Sequence, residues 1–252
     1  FPKADKAMPP ADADSLYFHF VQTAAPASQE PKPERGVGSN NWAVAGSKTK
    51  SGKPILCNDP HLGLNLPSLW YELQLSTPAF NAYGVSFPGA PTVIIGFNDS
   101  CSFGFTNSGR DVRDFYEIKF KDSTMQEYWF DSTWKQTTFR DEVIKIKDKA
   151  DDTEHIAMTV FGPVMYDRSY PDKLLSGKAY ACRWLAHDSS NEIRTFYKLD
   201  KSKNYGDYLD AVSTYKCPAQ NMIFATVAGD IAIKQQGRFP LKWKGQGDFV
   251  MP

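Results

Sequence analysis

The sequence has 252 residues, of which 41% are hydrophobic, 14% aromatic and 23% charged. That balance suits a globular chain with a real core and excludes a disordered or fibrous one. Its 29 Lys and Arg match its 29 Asp and Glu, so no net field recruits nucleic acid or an anionic membrane, and neither is expected as a partner. Apolar runs such as Val93-Ile94-Ile95 are far too short to cross a bilayer. Cys57, Cys101, Cys182 and Cys217 form no CxxC pair and no Cys/His cluster with zinc spacing; disulfides and buried thiols both stay open.

Residues 14–23 read as a short packed segment. From Ala24 to Gly38 the chain carries Pro26, Pro31 and Pro33 and ends in Gly36-Val37-Gly38, a composition that holds neither helix nor central strand and reads as a linker. A strand is predicted over 41–45 and a second over 54–58, joined by a polar turn containing Gly52, which makes a hairpin. Further strands are predicted over 71–76, 83–87, 92–96, 102–106, 114–120, 128–130, 143–147, 155–159 and 178–183. Helical spacing is confined to 191–201 and 205–215, and a last strand pair, 222–227 and 230–235, is split by Ala228-Gly229. The expected fold class is α+β with mostly antiparallel strands, in one domain from Ser39 to Pro252.

A bare Gly-Ser dipeptide says little, since both residues are common in turns. Gly38-Ser39, however, lies where a Pro-rich linker gives way to a strand. A cut there leaves a serine with its own base: the hydroxyl attacks a carbonyl while the new α-amine, whose pKa is about 7.7–8.0 in peptides, takes the proton. Read without further context, the same junction also suits the linker edge of a β-rich binding or structural domain.

Ser39-Asn40-Asn41-Trp42, Gly46-Ser47-Lys48 and the run from Pro54 through Asn58-Asp59-Pro60-His61-Leu62 resemble the start of the β chain of penicillin acylases, an N-terminal-nucleophile hydrolase family. The likeness is nearest to the branch with acyl-homoserine-lactone and cephalosporin acylases, where His rather than Gln follows the Asp-Pro position. It continues through Phe87-Pro88-Gly89, Gly96-Phe97-Asn98, Phe103 to Asn107, Asp111 to Tyr116, Phe161 to Val164, Pro218 to Met222 and Gly229-Asp230-Ile231.

This resemblance implies an αββα sandwich, present here as a partial segment. Residues 1–23 would end an α chain, 24–38 would be the spacer, and 39–252 would begin the β chain. The implied activity is hydrolysis of a small-molecule acyl amide, in a bacterial periplasmic or secreted enzyme. Ser39 would be the nucleophile, released by self-cleavage at Gly38-Ser39, with His61 orienting the amine or the nucleophile. Asn107 would give its backbone N–H to the oxyanion hole. Leu62, Ile94, Ile95 and Phe105 would line the acyl pocket. No cofactor is implied, although Asp111, Arg113 (through its carbonyl) and Asp114 fall on a structural calcium loop of the family. Asn58 is read as bracing a turn, and His19, His155 and His187 as structural. The family's second oxyanion donor and a substrate-side arginine lie past Pro252, and the chain begins with Phe1 rather than Met. The sequence therefore reads as a segment whose partners are its own α chain and the rest of its β chain.

Overall fold

A computed structural model describes residues 37–63, 65–167 and 178–242. The expectations for 1–36, including His19 and most of the linker, lie outside the described residues. The chain divides into two compact units where the sequence reading had one domain. One takes the described residues 37–110 and 189–239, here the hairpin unit; the other takes 111–167, 178–188 and 240–242, here the five-stranded unit.

In the hairpin unit, β1 (Gly38–Val44) and β2 (Ile55–His61) pair antiparallel. They are followed by β3 (Tyr71–Ser76), β4 (Asn81–Ser86), β5 (Ile95–Asn98) and β6 (Cys101–Asn107). After the five-stranded unit come helix α1 (Glu192–Asp200), helix α2 (Tyr205–Ser213), β14 (Gln220–Thr226) and β15 (Ile231–Gln236). Six strands make one antiparallel sheet in the order β15-β14-β6-β5-β4-β3. The alternation of β6 and β14 gives this sheet two different faces. Cys101, Phe103, Met222 and Phe224 enter a core with Phe196 and Leu199 of α1 and Tyr208 and Val212 of α2. Gly104, Thr106, Asn221 and Ile223 face the other way, where the β1–β2 hairpin packs. Asn191 and Asn204 cap the helices by accepting the Arg194 and Asp207 N–H groups at 3.1 and 3.0 Å.

The five-stranded unit holds β7 (Arg113–Ile118), β8 (Glu127–Phe130), β9 (Thr133–Gln136), β10 (Thr138–Ile144), β11 (Asp152–Thr159), β12 (Gly162–Tyr166) and β13 (Ala179–Trp184). Its sheet runs β10-β11-β12-β13-β7, with β8–β9 a separate hairpin. Ile118, Tyr128, Ala179 and Ala181 form its core.

Sequence reading missed β9 and β12. The β8–β9 turn places Asp131 and Ser132 at φ 47° and 60°, a left-handed pair normally marked by Asn or Gly, so no turn signal announced the strand. In β12, Pro163 argued against a strand. The strand predicted over 92–96 slides to Ile95–Asn98 because its first part is tethered by side chains. Ser86 donates its hydroxyl to Thr92 O, and the Val93 N–H goes to Asp200.

Candidate active site

The β1–β2 register pairs Gly38 with His61, Ser39 with Pro60, Asn40 with Asp59 and Asn41 with Asn58. Because side chains alternate, Ser39, Asn41, Asn58 and Pro60 share one face of the hairpin, while Asn40, Trp42, Asp59 and His61 share the other. The first face lies on the sheet: Asn41 Nδ2 donates to Asn221 O at 2.9 Å, and Asn58 Oδ1 accepts the Phe105 N–H. The second face is open, with Trp42 51% exposed.

The hairpin's direction follows from its anchors. Lys53, in the connection between β1 and β2, donates to Val227 O at 3.3 Å, just past the C-terminal end of β14. Asn41 holds Asn221, near the N-terminal end of β14. The hairpin's open end, with Ser39, therefore lies toward the end of the sheet where Gln220 of β14 pairs with Asn107 of β6. There the half-buried Ser39 donates its hydroxyl to the carbonyl oxygen of Gly38 at 2.6 Å. The hydroxyl and the carbonyl of the Gly38-Ser39 peptide are thus already in contact. β1 also begins one residue earlier than the linker reading had it, at Gly38 itself.

Asn107 ends β6. The Ser108 N–H bonds Ala219 O and the Val227 N–H bonds Ser100 O, so the even-numbered residues of β6 face β14 and the odd-numbered ones turn their N–H groups to the opposite edge. On that edge Phe103 pairs with Gly96 of β5, Asn58 takes the N–H of Phe105, and Asn107 follows next in line. Its own side chain accepts from Gly109 N at 3.2 Å and its carbonyl from Asn221 Nδ2 at 3.3 Å.

The other expected site residues are placed less favourably. The His61 ring lies on the open face, opposite the Ser39 hydroxyl, and its Nε2 is 2.6 Å from Asp59 Oδ2. Strand alternation sends the His61 and Ser39 side chains to opposite faces of the hairpin. Leu62 is exposed. Ile94 is buried in the core beneath the sheet, and Phe105 packs on that same face with its ring 5.6 Å from Phe196. Ile95 also packs against this core. The four acyl-pocket residues are not gathered into one open pocket; three of them contribute to the helix-side core. Asn58 does more than brace a turn, since it joins β2 to β6.

Asp111, Arg113 and Asp114 begin the five-stranded unit. Lys242, half-buried with 13% of its side chain exposed, reaches both carboxylates, with Nζ 2.7 Å from Asp111 Oδ2 and 2.8 Å from Asp114 Oδ1. Burial works against the Lys242 charge, but the hydrogen bonds from the two aspartates outweigh it and hold its pKa above the usual lysine value. An ammonium thus supplies the positive charge between these carboxylates. Among the described residues no group of three or more His, Cys, Asp or Glu could hold a metal ion. Lys242 is 128 residues from Asp114, so no local pattern could have pointed to it. Asn221 sits in the Pro218-to-Met222 motif, but its partners appear only in three dimensions.

No disulfide joins the four cysteines. Among the described residues no helix is long and apolar enough to cross a membrane.

Residues 3–252 match a family model described as penicillin amidase. The acyl-homoserine lactone acylase QuiP of Pseudomonas aeruginosa is 31% identical over 224 residues, covering 86% of this chain and 26% of the relative. The penicillin acylase 2 proenzyme of a Pseudomonas species (strain SE83) is 27% identical over 225 residues, covering 86% of this chain and 28% of that protein. A solved thermostable penicillin G acylase from Alcaligenes faecalis superposes with a TM-score of 0.69 at 26% identity, over 78% of this chain and 35% of that one. The chain therefore spans about a quarter of the length of the curated relatives it matches.

Proposed function

The chain belongs to the penicillin amidase family, and from that premise we propose that it carries the nucleophile of an acylase that makes its own N-terminal serine. The observation behind this reading is the Ser39 hydroxyl against the Gly38 carbonyl, at the hairpin end nearest Asn107. In the self-cleavage step Ser39 Oγ adds to the Gly38 carbonyl carbon, and the Ser39 nitrogen leaves with the proton. Water then hydrolyses the ester, releasing the Gly38 carboxylate and restoring the hydroxyl.

In turnover the freed α-amine takes the Ser39 proton as Oγ attacks the substrate's amide carbonyl. The Asn107 N–H stabilises the oxyanion, the amine product departs with the proton, and water cleaves the acyl-serine ester. Losing one such donor typically costs about 10²–10³ in kcat. His61 acts through its main chain, paired with Gly38, while its ring stays with Asp59.

The substrate class is a small acyl amide. The relatives' names point to acyl-homoserine lactones or penicillin-type amides. The partners are the enzyme's own α chain and the remainder of its β chain, in the periplasm or outside the cell. No cofactor takes part in these steps, and Lys242 fills the charge-balancing role that calcium would have on Asp111 and Asp114.

The test uses the full-length protein. Mass spectrometry is expected to find a new terminus at Ser39, absent in Ser39→Ala, and a serine-directed covalent inhibitor is expected to label the mature serine. An uncut, fully active Ser39→Ala protein would overturn the reading.

A further inference from the structure

We infer that Asn58 is a positioning residue that sets the nucleophile strand against the oxyanion strand; this rests on the acylase reading above. Its carboxamide is shared between two strands. Oδ1 accepts the Phe105 N–H of β6, while Nδ2 donates to Asn40 O of β1 at 3.2 Å. Phe105 is the N–H donor just before Asn107 on that edge of β6, and Asn40 directly follows Ser39. One side chain therefore fixes the backbone beside each of the two reacting groups.

Three further observations support this assignment. β5 ends its pairing with β6 at Gly96–Phe103, so from Phe105 onward no strand among the described residues pairs with this edge of β6. Asn58 stands in for the missing strand by presenting a carbonyl-like oxygen where a neighbouring backbone would. The sequence also leaves room for it: a Cβ built on Gly104 would overlap Asn58 Oδ1, so glycine is what lets the carboxamide lie flat against β6. Finally, the same end of β6 is also held by a side chain of β14. Asn221 Nδ2 donates to Thr106 Oγ1 at 3.2 Å and to Asn107 O at 3.3 Å, and Asn41 ties the hairpin to Asn221 O. The end of β6 is thus held by two neutral amides, and Asn58 spans from β6 to the serine strand with a single side chain. A displacement of about 1 Å in such a geometry is enough to cost about 10²-fold in rate.

The experiment compares the full-length enzyme with Asn58→Leu, which keeps the volume and loses both hydrogen bonds, and Asn58→Asp, which keeps the acceptor for Phe105. Acylation by a chromogenic acyl amide is followed under saturating and limiting substrate, on protein quantified by its Ser39 terminus. We expect Asn58→Leu to lose about 10²-fold in kcat with KM within about threefold, and Asn58→Asp to stay within about tenfold of wild type. Wild-type kcat in Asn58→Leu would overturn the inference, whereas a loss in Asn58→Asp as large as in Asn58→Leu would place the effect on the bond to Asn40 O. If Asn58→Leu does not fold, Gly104→Ala replaces it, because its new Cβ pushes the same carboxamide off Phe105 and must give the same kcat loss. Ser39→Ala run in parallel separates the two levels. If it is cut and active, the acylase reading fails; if it is inert while Asn58→Leu is unimpaired, only the positioning role fails.

Discussion

The two units handle polar groups in opposite ways. In the hairpin unit several contacts between distant segments are made by asparagines: Asn41 and Asn221, Asn58, and Asn98, whose Nδ2 donates to Ser202 O at 2.8 Å. In the five-stranded unit charged pairs make such contacts: Lys178 with Glu117, and Lys242 with Asp111 and Asp114. A neutral amide is cheaper to bury than an ion and holds the same partners at any pH. On the proposed function the strand carries an amine that must titrate near neutrality, and such a strand gains from a scaffold that does not titrate with it. The five-stranded unit, which carries none of the proposed reacting groups, has no such constraint.

The strongest challenge to this contrast is to remove the cation from the charged unit. Lys242→Ala leaves the nearly buried Asp114 and its neighbour Asp111 without a counter-charge, and breaking such a pair costs about 3 kcal/mol. Asp111 is half exposed, which lowers the expected loss to about 2–3 kcal/mol. Urea unfolding should show that loss in Lys242→Ala, and millimolar calcium should restore part of it by occupying the space the ammonium leaves. An unchanged midpoint would mean that the pair contributes nothing.

A smaller effect separates two similar His–Asp contacts. His61 meets Asp59 in the hairpin unit, and His155 meets Asp141 across β10 and β11 in the other, stacked on Phe139 at 4.4 Å. Both pairs are exposed, and exposed pairs are worth about 0.2–1 kcal/mol. His155→Ala should leave kcat unchanged, and His61→Ala should lower it less than about tenfold, because the ring faces away from the Ser39 hydroxyl. A 10²-fold loss in steady-state kcat for His61→Ala alone would show that the ring reaches the reacting groups after cleavage, and would restore the role the sequence suggested.

That histidine shows where sequence reading succeeds and where it stops. Local patterns found the hairpin, its polar turn, both helices and the tight turn at Gly229, because spacing and turn chemistry are written in neighbouring residues. The family resemblance singled out Ser39 and Asn107, which the fold brings to the same end of the sheet. Which face each side chain takes depends on register: a one-residue offset puts His61 and Ser39 on opposite sides, and parity puts Phe105 and Ile94 in the helix-side core. Contacts such as Lys242 with Asp114, or Asn58 with Phe105, join residues far apart in the chain and leave no local trace.

Asp200 is the exception that sharpens the comparison, since it is a carboxyl buried in the amide-rich unit with no ion-pair partner among the described residues. It ends α1 fully buried, its Oδ2 accepts the Val93 N–H at 3.1 Å, and its Oδ1 has no partner among the described residues. Burial pushes its pKa up from 3.8 to about 7, against a smaller downward pull from the Val93 hydrogen bond. Below about pH 4 both folded and unfolded chains hold the proton, and Asp200 imposes no penalty. Between about pH 4 and 7 the unfolded chain ionises first, so stability falls as pH rises, and above about 7 the loss is complete. Asp200→Asn keeps an acceptor for Val93 and removes the titration. It should match wild type near pH 4 and exceed it by about 1–3 kcal/mol at pH 8, read from urea midpoints at the two pH values. Wild-type stability that is flat across this window would show that Asp200 finds a counter-charge or water in solution, and that the hairpin unit tolerates charge as readily as its neighbour.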